Sequence, residues 1–183
     1  MKLEKLEIEH YYHIFNRGIN GDFIFKNNEN KKYFLKLVSK YLNNRISVLA
    51  YCLMDNHFHF VIKINEEGTI VTQAFSNLFN AYAKAFNKQN SRTGSLFEKH
   101  FKRIKLVNDN YLKQLIIYIH TNPKHHLNMN FEDYMFSSYQ SILSQQETKI
   151  DRDEVLTLFD DIQNFRFCHK NKNDVLNEKY TFE

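Results

Sequence analysis

The stretch RISVLAYCLMDNHFHFVIKI, residues 45–64, decides the fold. Arg45–Met54 is rich in β-branched and aromatic residues, and His57–Ile64 alternates Phe and Ile with other side chains, so both segments are predicted to be β-strands. Asp55-Asn56, between them, is a pair typical of tight turns. Residues 45–64 are therefore predicted to form a β-hairpin.

The chain on both sides of this hairpin alternates between strand-like and helix-like patterns. Upstream, Glu7–Phe15 is rich in β-forming residues, and apolar residues recur at helical spacing from Asn30 to about Asn43. Downstream, Thr69–Lys88 has a helical period, and a short strand is expected near Arg103–Val107. The order β-α-β-β-α-β predicts a ferredoxin-like α+β fold, in which an antiparallel sheet carries its helices on one face.

A further helix is predicted after the last strand. Asn108 or Asp109 can cap its start, and Asn122-Pro123 is expected to end it near Thr121. The rest of the chain has a less regular pattern, with Asp153–Asp161 as its one convincing helix. We expect residues 1–145 to form one domain and residues 146–183 a helical or irregular extension packed on it.

The composition limits the class of protein. Hydrophobic residues make up 43% of the 183 residues, which is enough for a sizeable core. Cys52 and Cys168 match no metal-binding spacing, which favours a reducing compartment. The N-terminus lacks the apolar core of a signal peptide, and no apolar run approaches the roughly 18 residues of a membrane helix. We expect a soluble, cytoplasmic protein without membrane contact.

The net charge of +4 is unevenly distributed along the chain. Lys84–Lys105 carries seven basic side chains and one acidic one, whereas residues 147–161 are rich in Asp and Glu. A basic middle beside an acidic tail is typical of a protein that binds phosphates. An ordinary solvated surface explains the charges equally well, so charge alone does not decide between the two.

His57-Phe58-His59 is the sharpest chemical feature of the sequence. Because side chains alternate along a strand, the two histidines are expected to project from the same face. Two imidazoles at this spacing can bind one divalent cation, with water, a third side chain or phosphate oxygens as the other ligands. Two half-exposed histidines without a metal give the same pattern, so the residues alone leave both interpretations open.

Tyr118 is the second chemical feature. An apolar stripe runs along the predicted helix 109–121, and Tyr118 flanks this stripe on the side of Asn122. A tyrosine can attack a phosphodiester when a metal or a basic group stabilises its phenolate, since its ordinary pKa is about 10. A tyrosine that only packs against the core is equally compatible with this position.

Together these segments resemble the single-tyrosine HUH transposases, and within them the REP-associated tyrosine transposases. The resemblance runs from about His10 to Leu143 and rests on five blocks in the expected order, of which the second and fourth are the most specific. The blocks are YYHIFNRGINGDFIF (11–25), LAYCLMDNHFHFVI (49–62), RTGSLFEKHFKRI (92–104), YLKQLIIYIHTNP (111–123) and FSSYQSIL (136–143).

The resemblance implies roles for individual residues. The histidine motif of the family falls on His57 and His59, as ligands of Mg²⁺ or Mn²⁺. The family's nucleophile precedes its Asn-Pro by four residues, which points to Tyr118 rather than Tyr111, and Asn122 takes the position of a polar third ligand. Five basic residues fall in regions expected to touch DNA: Arg17, Arg92, Lys99, Lys102 and Arg103.

The resemblance also implies a function. It predicts a metal-dependent transposase that nicks and rejoins single-stranded, hairpin-flanked DNA through a 5′-phosphotyrosine, as a monomer or a homodimer. Two alternatives stay open: a domesticated protein that binds hairpin DNA without cutting it, and a metal-dependent hydrolase that uses water as its nucleophile. Residues 124–127 (Lys-His-His-Leu) depart from the family pattern, which leaves the contacts at that bend undefined. Candidates for stacking on DNA bases are Tyr11, Tyr12, Phe97 and Phe101, although packing in the core is the better explanation of each one taken singly.

Overall fold

The computed structural model describes residues 4–171 and contains a four-stranded antiparallel sheet with the strand order β2-β3-β1-β4. Helix α1 connects β1 to β2, and α2 connects β3 to β4, which is the ferredoxin-like arrangement that the sequence predicts. The elements are β1 (Tyr11–Arg17), α1 (Asn28–Leu42), β2 (Ile46–Leu53), β3 (His57–Ile64), α2 (Gly68–Gln89) and β4 (Lys102–Lys105).

One face of the sheet packs against α1 and α2 around an aromatic core. The ring of Phe58 on β3 lies 5.1 Å from that of Phe34 on α1 and 5.6 Å from that of Phe79 on α2, measured between centroids. Full burial of such a side chain stabilises the fold by about 1.5–3 kcal/mol. Because Phe58 is committed to this core, its neighbours His57 and His59 face the opposite side of the sheet.

The opposite face is covered by helix α3 (Asp109–Leu127), which contacts β2 and β3. The Asn108 side chain caps α3 by accepting a hydrogen bond from the Tyr111 amide. Every residue from 115 to 123 is buried, including Tyr118 with 7% of its surface exposed. From the sequence, Tyr118 was expected beside a single apolar stripe. In the structure, α3 is covered by the sheet and by later helices, so residues 115–123 are buried on all sides of the helix.

Helix α3 also continues to Leu127, nearly two turns beyond its predicted end at Thr121. Pro123 lies inside the helix, where its ring removes one backbone N–H. The Thr121 hydroxyl donates to two carbonyls of the preceding turn, at 2.9 and 3.2 Å. The helix ends at Asn128, which adopts a left-handed conformation with φ 50°. The last turn of this extension carries His126 and Leu127.

Between α3 and residue 171, the chain forms a short 3-10 turn and three more helices. The sequence predicts one helix here, over Asp153–Asp161, but Asp161 instead caps the start of a second helix, where its carboxylate accepts from two amides at 2.8 and 2.7 Å. The division of the chain at residues 145 and 146 stays a prediction, and its part beyond residue 171 lies outside the described residues. The helices are α4 (Tyr139–Leu143), α5 (Arg152–Leu158) and α6 (Ile162–Lys170).

Within residues 4–171, no helix combines the length and the apolar character that crossing a membrane requires.

Candidate active site

The histidine face of the sheet borders a cavity of about 640 Å³. Its walls come from the ends of β1 and β3, the β2–β3 turn, the last turn of α3 and the segment before β4. This volume lies within the range of about 300–1,000 Å³ that is usual for ligand sites. Its charged and imidazole-bearing residues are Arg17, Asp55, His57, His59, Glu98, Lys102 and His126.

His57 is oriented by the residue before it. Its Nδ1 lies 2.7 Å from Oδ1 of Asn56, an oxygen that can only accept, so Nδ1 carries the proton and Nε2 presents a lone pair. Nε2 in turn lies 3.5 Å from Oδ1 of Asn122 on α3. In this orientation two acceptors face each other, while Nδ2 of Asn122 is buried without a hydrogen-bond partner.

His59 is oriented in the same way by a residue of the neighbouring strand. It is 2% exposed, and its Nδ1 lies 2.9 Å from Nε2 of His13 on β1. The two rings stack with 5.1 Å between centroids. When Nδ1 of His59 is the donor of this bond, Nε2 of His59 presents its lone pair to a cation, and His13 has the role of the outer partner that orients a ligand ring.

Burial keeps both histidines in the form that binds a metal. It lowers the pKa of His57 to about 4, helped by the nearby charge of His126. Burial, followed by the charge of His13, also lowers the pKa of His59 well below its usual value. Since only neutral imidazole coordinates a metal, both rings are ready to bind one at neutral pH.

The donor set fits a divalent cation. Two imidazole nitrogens from β3 and one amide oxygen from α3 converge here. Nε2 of His57 and Oδ1 of Asn122, both acceptors, face each other at 3.5 Å, and a cation between them would be attracted by both. Among residues 4–171, no cluster of three or more His, Cys, Asp and Glu side chains is arranged to hold a metal. The amide of Asn122 is therefore the third donor available beside His57 and His59.

Tyr118 reaches the same place from α3. Its ring lies 6.1 Å from that of His59 and is inclined to it by 79°. Asn122 follows one helical turn later, so both side chains are directed to the histidines from one helix. Tyr111 lies two turns earlier, at the start of α3, where its half-buried ring packs against the core. The structure thus brings Tyr118, rather than Tyr111, into ring contact with His59.

The β2–β3 turn that carries these histidines is anchored by a buried lysine. Lys31 of α1 is 6% exposed, and its Nζ donates to Oδ1 of Asp55 at 2.7 Å and to the hydroxyl of Tyr134 at 3.0 Å. Tyr134 itself donates to the carbonyl of Leu53 at 2.7 Å. These bonds hold the turn between β2 and β3, and with it the start of the histidine motif.

Helix α3 is held on its far side by the His120 network, which consists of His120, His169, Ser138 and the amide of Tyr51. His169 of α6 donates through Nδ1 to a backbone carbonyl at 2.7 Å, so its Nε2 accepts from Nδ1 of His120 at 2.9 Å. Nε2 of His120 then accepts from the Ser138 hydroxyl at 2.8 Å, and Ser138 accepts from Tyr51 of β2 at 2.9 Å. The network joins α6, α3 and β2 through buried side chains.

The five basic residues predicted to touch DNA do not lie on one surface. Arg17 and Lys102 line the cavity beside the histidines, where Nε of Arg17 donates to Glu98 at 2.5 Å. Arg103 follows Lys102 on β4 and therefore points to the other face, where it donates to Thr72 of α2 at 3.1 Å. The other two lie outside the cavity: Arg92, which pairs with Asp22 at 3.7 Å, and Lys99, which is exposed.

Arg103 faces a second cavity, of about 680 Å³, between α2 and the segment 94–103. Asn16 and Glu98 line both cavities, so the two meet at these residues. Lys84 also lines the second cavity. The predicted basic residues are therefore dispersed: some line one or the other of two adjoining cavities, and Arg92 and Lys99 line neither.

None of the four aromatic residues predicted to stack on bases lines the cavity beside the histidines, whereas Phe97 and Phe101 line the second cavity. Tyr12 and Phe101 are buried in the core, with 0% and 6% of their surface exposed, and Phe97 and Tyr11 are half-buried against it. Their enrichment near basic residues reflects core packing. The cavity beside the histidines exposes another aromatic ring, that of Phe23, which no sequence pattern indicated.

Two more residues of the site were missed from the sequence. His13 contacts His59 only because β1 pairs with β3, and this register is not visible in either strand alone. His126 lies with its ring 5.3 Å from that of His57 and lines the cavity together with Leu127. For His126 and Leu127, the sequence did carry a signal, because residues 124–127 depart from the family pattern. The helix was predicted to end before them, so they were not assigned to α3.

Comparison with known proteins gives the family. Residues 7–122 match a family model described as "Transposase IS200 like". The fold is similar to the "Structure of the REP associates tyrosine transposase bound to a REP hairpin", with a TM-score of 0.57 and 16% identity over 79% of this chain and 86% of that one. A yeast protein, tRNA(His) guanylyltransferase from Saccharomyces cerevisiae, shows a weaker likeness that supports no argument, with a TM-score of 0.37 and 14% identity over 98% of this chain and 86% of that one.

Comparison with curated protein sequences gave no match. At 16% identity, the likeness to the solved transposase shows a shared fold. The family model is stronger evidence, since it spans more than half of the chain and includes both the histidine motif and the Tyr118 helix as far as Asn122. The chain therefore belongs to the IS200-like transposase family.

Proposed function

We propose that this protein is a metal-dependent transposase of the REP-associated type, which nicks and rejoins single-stranded DNA beside hairpins. The observation that carries the proposal is the convergence of His57, His59, Tyr118 and Asn122. They come from a strand and a helix far apart in sequence, and they meet beside a cavity that also exposes two cationic side chains. Neither an ordinary core nor a solvated surface requires this combination.

His57, His59 and Asn122 would hold Mg²⁺ or Mn²⁺ through Nε2, Nε2 and Oδ1. When bound, the ion supplies a Lewis acid for the scissile phosphate. Asn56 fixes the tautomer of His57, and His59 would donate from Nδ1 to His13, so that both rings present a lone pair at Nε2.

Tyr118 provides the nucleophile. Its phenolic oxygen bonds to phosphorus as the bond from phosphorus to the 3′ oxygen breaks, which leaves a 5′-phosphotyrosine and a free 3′-hydroxyl. The phenol loses a proton and the departing oxygen gains one, so charge is balanced over the step. Attack by another 3′-hydroxyl reverses the reaction and joins strands, and no nucleotide triphosphate is consumed.

Arg17 and Lys102 would contact the phosphates of the strand that enters the cavity, since both line it. Arg92, Lys99 and Arg103 would contact DNA outside this cavity, with Arg103 at the adjoining one. The similar solved transposase is bound to a REP hairpin, and we extend this substrate class to the present protein. It would act as a monomer or a homodimer.

Covalent trapping tests the proposal. The full-length protein is incubated with Mn²⁺ and labelled hairpin-bearing single strands from the flanks of its own gene, and the products are separated on a denaturing gel. We expect a protein–DNA adduct with wild type and none with Tyr118→Phe, whereas Tyr111→Phe serves as the matched control and keeps the adduct.

The same experiment separates the alternatives. A protein that only binds hairpins would shift the DNA on a native gel but give neither product nor adduct. A hydrolase that uses water would give cleaved product without any adduct, and Tyr118→Phe would leave its rate unchanged. Either result would refute the proposed function.

A further inference from the structure

An exposed aromatic side chain stands at the rim of the candidate active-site cavity. Phe23 is 58% exposed, although a phenyl ring gains free energy when it is buried. It lines the cavity together with Arg17, His57 and Lys102. A concave site that combines apolar or aromatic side chains with a few polar groups is the usual form of a ligand pocket.

The loop that carries Phe23 is fixed at its far end. The amides of Ile24 and Phe25 both lie 2.9 Å from the carbonyl oxygen of Asp55, and both side chains are buried. Asp55 belongs to the turn that leads into His57. Because the residues next to Phe23 are bonded to this turn, the position of the Phe23 backbone is set relative to His57.

The near end of the loop is equally closed. The amide of Gly18 donates to the carbonyl of Asn56 at 2.8 Å, and the amide of Asp22 donates to that of Ile19 at 3.0 Å. A Cβ atom at Gly18 would lie 1.9 Å from the carbonyl oxygen of Asp22, so the loop folds back over a position where only glycine fits. Phe23 is thus presented by a preorganised loop, which reduces the entropy lost when a ligand binds.

The chemistry of the cavity defines the ligand. Cationic side chains beside an exposed aromatic ring are the combination that binds unpaired nucleotides, since the cations contact phosphates and the ring stacks on a base. A base inside a duplex is already covered on both faces, whereas an unpaired base offers a free one. Phe23 and Leu127 form an apolar part of this cavity, and Arg17 and Lys102 form its cationic part.

We propose that Phe23 stacks on an unpaired base of the DNA strand adjacent to the phosphate that is cleaved. This inference rests on the proposed function, because it assigns to that site a subsite for the substrate's base. It adds a residue at the cavity of the candidate active site to the four aromatic candidates from the sequence, all of which pack in or against the core.

The chain contains no tryptophan, so Phe23→Trp introduces a single indole at the subsite, whose emission can be excited selectively over that of the tyrosines. The full-length variant is titrated in EDTA, to prevent cleavage, with a hairpin that carries a short unpaired flank, and separately with the same hairpin whose flank is abasic. We expect the intact flank to quench the indole emission and the abasic flank to leave it unchanged. Phe167→Trp on α6 is the matched control, because Phe167 is 63% exposed and lies outside both cavities, and neither DNA should quench it.

The affinity of the DNA gives a second measurement. Phe23→Ala should weaken binding of the intact flank by about 5- to 150-fold, the range of an aromatic–base stack, and leave binding of the abasic flank unchanged. Phe23→Tyr should bind like wild type. Equal quenching by both flanks, no quenching by a flank that binds, or an unchanged affinity in Phe23→Ala would overturn the inference. If the wild type still forms the Tyr118 adduct, such a result leaves the proposed function intact, whereas absence of that adduct would refute the function itself.

Discussion

Replacing His13 with Phe tests whether a residue outside the proposed ligand set controls the metal site. His13 is fully buried and stacks on Phe15 with 4.5 Å between ring centroids, and a phenyl ring of similar shape can keep this stacking. The variant loses the 2.9 Å bond to Nδ1 of His59. The proton of His59 is then no longer fixed on Nδ1, and its ring is no longer oriented.

Two magnitudes follow from this loss. Removal of an outer partner of a ligand histidine lowers metal affinity by about 10- to 100-fold. A buried ring nitrogen without its partner destabilises the fold by about 1–3 kcal/mol. For a chain of this size, 1 kcal/mol shifts Tm by about 2–4 °C, so His13→Phe should melt about 2–12 °C below wild type.

Isothermal titration with Mn²⁺ measures the first effect, and thermal unfolding without metal measures the second. His169→Phe is the matched control, because it breaks the other buried histidine pair, at 2.9 Å from His120, and lies on α6 outside the cavity. It should lower Tm by a similar amount and leave the Mn²⁺ affinity unchanged. An unchanged affinity in His13→Phe, or an equal loss in both variants, would refute the reasoning.

Further predictions concern the nucleophile, the phosphate contacts and the loop. Tyr118→Phe should bind hairpin DNA like wild type and form no product, whereas Tyr111→Phe should cleave normally; gel-shift and nicking assays on the same DNA compare them. The affinity for DNA should fall with rising salt concentration. Lys102→Ala should reduce the slope of the logarithm of the binding constant against the logarithm of the salt concentration by about 1. Lys40→Ala is the control, because Lys40 lines neither cavity, and it should leave this slope unchanged. Gly18→Ala should lower both Tm and the cleavage rate, because its Cβ would overlap the carbonyl of Asp22; unchanged values in both assays would contradict the rigid loop.

The fold could be predicted from the sequence because its elements have clear periodicities. The predicted bounds of β3, His57–Ile64, agree with the structure, and those of α2 differ by one residue at each end. The error at the end of α3 arose because Pro123 was taken as a stop signal, whereas the helix continues around it. The burial of Tyr118 was missed because a single apolar stripe predicts a helix with one covered face, whereas α3 is covered by the sheet and also by later helices.

The site was predictable to the extent that it depends on local sequence. The spacing placed His57 and His59 on one face, and the family resemblance added Tyr118 and Asn122, which the structure brings to the same place. The contact of His13 with His59 depends on strand pairing, which no local pattern encodes. The basic residues were grouped by their proximity in sequence, although the alternation along β4 already directs Lys102 and Arg103 to opposite faces.

The His120 network has a consequence for the order in which the molecule is assembled during synthesis. The match to the family model ends at Asn122. His120 lies within this match, but its hydrogen-bond partner His169 comes 49 residues later in the chain. A nascent chain that has not reached α6 contains every candidate catalytic residue, yet the buried imidazole on its catalytic helix still lacks one hydrogen-bond partner. The bond to His169 therefore forms only after translation has passed α6, so the stability that it adds to the buried side of α3 comes last, when every candidate site residue has already been made.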